Sequence, residues 1–309
     1  MKRLLACLVQ ASVFFWLAFI AIPATCQTKD IQQHLRDEYQ GKTLILRGFY
    51  TADHLHYDSA GMPDSTATSG DWTADGFVVV NNLHVSRQRL IIKAGRLFVV
   101  SVGKELQLHA AGYTPPGLHA EKPVRLEVEV DMSTRSPTAS QVDAVLSKIF
   151  LGTHDDLPDL LPEYWKPCVR AGLVGKDPCR FSSEILAVPG VGPAKGSLVS
   201  ETTDTSAGGA TEPKVYRVGS GVSPPRPTYS PEPEFSERAR RAKFQGVVTL
   251  GVVVNAEGLP TNIHILSPLG CGLDAKAVQA VERWRFSPAV KDGQPVPAEI
   301  QVEVSFHLY

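Results

Sequence analysis

The stretch Val247-Val248-Thr249-Leu250-Gly251-Val252-Val253-Val254-Asn255-Ala256-Glu257-Gly258 sets the architecture of the carboxy-terminal part of the chain. A near-continuous β-branched run ends in a four-residue turn whose glycine accepts positive φ, and Thr261 to Ser267 returns with Ile263 and Ile265 facing one way. This predicts an antiparallel hairpin. Upstream, 234–244 reads as a short helix with Ala239, Ala242 and Phe244 apolar among basic residues. Downstream, 273–284 reads as an amphipathic helix with Leu273, Ala277, Val278, Val281 and Trp284 on one stripe, stopped at Ser287-Pro288. The last strand alternates: Ala298, Ile300, Val302, Val304, Phe306 and Leu308 form an inward set, and Glu299, Gln301, Glu303, Ser305 and His307 a wet one. Two helices and a sheet make a complete layer pair, so 223–309 are expected to fold alone, with Trp284 in their core.

The order helix, hairpin, helix, strand comes with a set of specific words. They are Ser236-Glu237-Arg238-Ala239-Arg240, Gln245-Gly246-Val247-Val248, Leu273-Asp274, Trp284-Arg285-Phe286-Ser287-Pro288-Ala289 and Asp292-Gly293-Gln294-Pro295-Val296. In combination they closely resemble the TonB carboxy-terminal domain. The resemblance implies a three-stranded antiparallel sheet carrying two helices on one face; with the separate β-rich domain that the residue pattern of 27–180 predicts before it, the fold class is α+β. The resemblance also implies a binding mode, in which a segment of an outer-membrane TonB-dependent transporter adds as a strand beside the last strand. That assigns Glu299, Ile300, Gln301, Val302, Glu303, Val304, Ser305, Phe306 and His307, with Pro233 carried over from the segment before the first helix. In that family an inner-membrane motor, ExbB with ExbD, supplies energy from the proton gradient to an anchor helix bearing Ser and His four apart. Here Ser12 is followed four on by Trp16, so the resemblance supports binding more than energy coupling. Independently, a terminal edge strand offers unpaired N–H and C=O groups to an incoming peptide. Glu299 and Glu303 equally fit a strand that carries charge to stay soluble.

At the other end, Lys2 and Arg3 precede the apolar stretch from Leu4 to Ala24, and Ala24-Thr25-Cys26 is a small-residue site. This reads as a secretory signal peptide, 1–26, cleaved after Cys26, with a retained inner-membrane anchor as the alternative. Thr25 and Pro23 fit a lipoprotein site poorly. Either reading places the rest in the periplasm or cell envelope, where disulfides persist. Cys168 and Cys179, eleven apart and flanked by Pro167 and Pro178, are then expected to pair, leaving Cys271 as a buried apolar residue.

Residues 27–180 alternate short apolar runs with turn signals and read as a β-rich domain of unknown function. Strands are expected at 43–46, 77–80, 90–93, 96–100, 106–109 and 124–132, and a helix at 140–150. Gly, Ser, Thr, Ala and Pro dominate 181–222, the composition of a flexible linker. The chain has 309 residues with 31 Lys plus Arg against 32 Asp plus Glu, a balance that excludes a polyanion-coating nucleic-acid binder. No nucleophile elbow, zinc-protease helix or convincing Ser-His-Asp set is present, so no enzyme and no cofactor is expected. The loop from Gly190 to Ser197 lacks the glycine spacing of a phosphate site. His54 and His56 would share one face of a strand, yet no third metal ligand stands out. The competing functional readings are an energy-coupled TonB-like protein and a periplasmic interaction module without a motor.

Overall fold

A computed structural model describes residues 24–86, 88–110, 124–134, 137–177, 179–191 and 214–308. The signal-peptide reading of 1–23, most of the predicted linker and Tyr309 lie outside these. The first module runs α1 (Ala24–Tyr39), β1 (Thr43–Ile45), β2 (His54–Tyr57), β3 (Phe77–Ser86), β4 (Arg89–Val102), β5 (Glu105–Ala110), β6 (Arg125–Asp131) and α2 (Ala139–Ile149). It ends with α3 (Leu157–Leu160), α4 (Lys166–Leu173), β7 (Arg180–Phe181) and α5 (Ser183–Leu186). The second runs β8 (Tyr216–Arg217), β9 (Arg226–Tyr229), α6 (Glu237–Arg241), β10 (Gly246–Val254), β11 (Pro260–Ser267), α7 (Leu273–Val281), β12 (Arg285–Ser287), β13 (Ala289–Lys291), β14 (Gln294–Val296) and β15 (Ala298–Phe306).

The two predicted runs at 90–100 are one long strand, β4, the spine of a seven-stranded sheet. β3 lies along one side of it; β6 and β5 lie end to end along the other. One face, bearing Leu44, Val78, Leu90, Ile92, Val128 and Val130, packs on Ile31 and Leu35 of α1 and on Val142 and Leu146 of α2. Thr138 caps α2 reciprocally with Gln141, which fixes where that helix starts. The module therefore has more helix than its strand spacing predicts. From residue 30 on, α1 shows two buried apolar residues, Ile31 and Leu35, one turn apart among polar ones, too sparse a stripe to read. No helix among the described residues is long and apolar enough to cross a membrane.

The other face, with Phe49, Trp72, Phe77, Phe98, Leu106 and Phe181, shares one continuous core with Val248, Leu250, Ile265, Leu273, Val281, Val304 and Phe306 of the second module. The composition-based linker boundary is corrected here. Phe181, Ile185, Val188 and Val191 are buried in that same core, because small and polar residues between widely spaced apolar ones still form a packed turn. Cys168 and Cys179 are joined in a disulfide, Cα to Cα 5.4 Å, which ties α4 to the residue just before β7. Cys271 is free and buried, and burial pushes its thiol up to about 12.

The modules meet where β3 runs out beside β4. Leu269–Cys271 takes its place: the Ser101 N–H donates to Leu269 O at 2.9 Å and the Cys271 N–H to Val99 O at 2.8 Å. Only glycine fits at 270, where φ is +94° and a Cβ would stand 2.1 Å from Val99 O. Asp274 holds this segment from behind, accepting from Leu269 N and Gly270 N at 2.7 Å each. Burial pushes its carboxyl up to about 7 against the pull of those donors. Thr73 Oγ1 accepts from Gly272 N at 2.8 Å. Beside it, Arg238 of α6 meets Asp75 at 2.9 Å, and Asp75 also faces the buried Arg96.

Two helices are shorter than their sequence patterns. Ser236 caps α6 by accepting from Ala239 N, and Lys243 at φ 50° ends the helical path. α7 stops at Val281. Trp284 is half-buried rather than central, its indole N–H donating to Pro231 O at 3.1 Å.

Gly270→Ala should lower stability by roughly 2–4 kcal/mol through strain and weakened backbone bonds. Gly293→Ala, where a Cβ meets nothing within 4 Å, should cost only about 1 kcal/mol for its positive φ. Denaturant midpoints of the two variants check this. An aspartate whose folded pKa lies near 7, above about 3.9 unfolded, stabilises fully below the unfolded value. That contribution is lost as pH rises through the folded one. Asp274→Asn should therefore flatten the fall in stability between about pH 4 and pH 8, measured as midpoint against pH beside the parent. Replacing Cys168 and Cys179 together by Ser should cost about 3 kcal/mol, and a non-reducing peptide map of the parent should show their peptides linked.

Candidate partner-binding edge

The sheet of the second module has the order β11-β10-β15-β8, one strand more than the predicted three. β10 and β15 pair antiparallel without a register shift, from Gly246↔Phe306 to Val254↔Ala298. Inward pairs Val248↔Val304, Leu250↔Val302 and Val252↔Ile300 face the helices, whereas Thr249↔Glu303 and Gly251↔Gln301 face out. The predicted binding residues thus divide. Val302, Val304 and Phe306 are buried, Ile300 is half-buried, and Glu299, Gln301, Glu303, Ser305 and His307 are exposed.

Backbone polarity divides along the same parity. Tyr216 N donates to Pro297 O across the outer side of β15, so odd-numbered residues from 297 direct N–H and C=O outward. Even-numbered ones bond β10. Leu308 N agrees, donating inward to Gln245 Oε1 at 2.7 Å. Gln301, Glu303 and Ser305 therefore present both an outward side chain and an outward backbone pair.

β8 is the strand that sequence reasoning missed. It runs parallel to β15 and covers Ala298 and Glu299 alone; a two-residue strand has no alternation to detect. From Ile300 to Phe306 no strand lies on that side among the described residues. The opposite edge is occupied, since the turn at Glu163–Trp165 and α4 pack along β11. A groove of about 880 Å³ is lined by Glu299, Gln301 and Glu303 of β15 together with Val218, Pro224, Trp284 and Phe286, and reaches Gly251 of β10 and Leu266 of β11. Pro233 is half-buried two residues before Phe235, whose ring stands edge-on 5.4 Å from Phe306. Pro233 does not line that groove.

The other singled-out residues have structural partners. His54 lies 3.8 Å from Glu127 and 3.9 Å from Glu129, and His56 lies 3.0 Å from Asp64 and 3.3 Å from Asp131. The hydrogen bond to Asp64 raises the His56 pKa. These contacts tie the wet face of β2 to β6 and to the loop after β2. Gly190 serves packing, its carbonyl accepting from Leu157 N at 2.9 Å, and residues 192–197 lie outside the described residues.

Residues 231–308 match the family model of the Gram-negative bacterial TonB protein C-terminal. Protein TonB of Vibrio cholerae is 32% identical over 78 residues, 25% of this chain and 32% of that protein. Protein tonB2 of Pseudomonas aeruginosa is 36% identical over 81 residues, 26% of this chain and 30% of that protein. The chain thus spans about a third of the length of these relatives. A solution NMR structure of the Pseudomonas aeruginosa TonB CTD aligns with 30% of this chain and 96% of its own at 20% identity, with a TM-score of 0.23. The sequence matches cover the hairpin, the second helix and the final strand: residues 231–308 form a domain similar to the TonB protein C-terminal.

Proposed function

We propose that this protein works in the cell envelope, where its carboxy-terminal domain binds an extended segment of an outer-membrane transporter as a strand added to β15. The observation that carries the reading is the asymmetry of the sheet. β11 is covered by the first module, while β15 keeps an outward row of backbone groups at Gln301, Glu303 and Ser305. Each main-chain bond contributes only about 1 kcal/mol net, so such a contact is moderate in strength and tolerant of partner sequence. Reading 1–26 as a secretory signal supports a periplasmic location, with the chain either released by cleavage or held at the inner membrane.

Transduction of the proton gradient through ExbB and ExbD is the finer reading that the family suggests. Two observations favour a motor-free interaction module instead. Trp16 stands where a coupling histidine belongs, and the terminal domain is fastened to a folded module through Leu269–Cys271 and Arg238. Amino-terminal sequencing of the native protein separates the two, since a mature chain starting at Gln27 has no anchor through which to couple.

Strand addition is tested with proline. Gln301→Pro and Ser305→Pro each delete an outward N–H and leave the β10 ladder intact, as edge positions tolerate. Both should melt like the parent and bind amino-terminal peptides of TonB-dependent transporters roughly five- to ten-fold more weakly. Val302→Pro removes an inward bond and should destabilise the domain itself. If both edge variants bind as the parent does, β15 is not the edge used.

A further inference from the structure

Glu299 and Glu303 lie four residues apart on the outward row of β15, about 13 Å along the strand. Both are exposed, and their register partners on β10, Val253 and Thr249, offer no cation. On the other side a cation faces the first of them: Arg217 of β8 stands in register with Glu299. β8 then leaves the edge. Gly219 N donates to Val222 O at 3.2 Å in a turn with Ser220 at φ 50° and Gly221 at φ 89°, which carries the chain away. Among the described residues no strand pairs with β15 opposite Glu303, and Glu303 shares the lining of one groove with Arg217, Val218, Trp284 and Phe286.

The geometry points to a partner segment that carries a lysine or arginine opposite Glu303 and apolar side chains toward the groove wall. This rests on the strand-addition reading and adds the chemistry that the edge selects. The chain's own Arg217 shows the arrangement one step earlier on the same strand. Charge also argues against the simplest rival, a second copy of the chain. Antiparallel pairing of two β15 edges about Gln301 would set Glu299 against Glu303 twice, and like charges directly opposite destabilise a ladder. An acidic segment meets the same repulsion.

The test uses the full chain and three fluorescein-labelled nine-residue peptides of alternating Thr and Val. They differ only in a central outward residue, Lys, Gln or Glu, and are titrated by anisotropy in low and high salt. The expected order of affinity is Lys, Gln, Glu. The Lys peptide should bind about five- to ten-fold tighter than the Glu peptide in low salt, as exposed cross-strand charge pairs allow. The gap should narrow in high salt. Glu303→Lys should reverse the order, and Glu257→Lys, an exposed turn position, should leave it unchanged. Equal affinities, or an order that survives Glu303→Lys, overturn the charge assignment. In that case loss of binding in Gln301→Pro still sustains strand addition. If none of the three peptides binds, both readings fall.

Discussion

Two backbone hydrogen bonds, from Ser101 N to Leu269 O and from Cys271 N to Val99 O, join the sheet systems of this protein. Around them gather a glycine that no larger residue can replace, a buried aspartate that clamps two N–H groups, and the Asp75–Arg238 ion pair. Buried backbone groups must be satisfied. When β3 ends beside β4, the second module supplies the missing partners, and its core then continues the core of the first. The consequence reaches the far side of the molecule. With β11 packed against the first module, the sheet has, among the described residues, one edge left on which a partner strand could build.

That edge is part covered by the chain itself. β8 occupies the start of β15, sets a parallel direction and places Arg217 across from Glu299. The outward carboxylates therefore do more than keep an edge soluble. Under the strand-addition proposal they repel a second copy and acidic segments while favouring basic ones, so that discouraging aggregation and selecting partners come from the same charges.

Much of the second module was legible from local pattern. The hairpin around Asn255–Gly258, the α7 stripe and the clean alternation of β15 each rest on periodicity that a short stretch contains whole. Asn255 Oδ1 accepts from Leu259 N, and Gly258 takes φ +79°, as that turn requires. The helix extensions read from the sequence stop short: α7 ends at Val281, and Trp284 lies beyond it with its indole N–H donating to Pro231 O. In the first module the strands were visible and α1 was not, since from residue 30 on its buried apolar side is marked by Ile31 and Leu35 among polar neighbours.

The amino-acid order by itself determined the period of each strand, the turn chemistry, the outward and inward sets of β15 and the words that carry the family resemblance, because these depend on neighbours within a few residues. Tertiary structure alone decided that Leu269–Cys271 would extend β4, that 181–191 would be core, that β11 would be covered and β15 left open, and that Arg217 would face Glu299. Each of those joins segments tens to more than a hundred residues apart. Their pairing is chosen by which backbone groups and apolar faces remain unsatisfied once the local elements have formed, and no short stretch of sequence records that remainder.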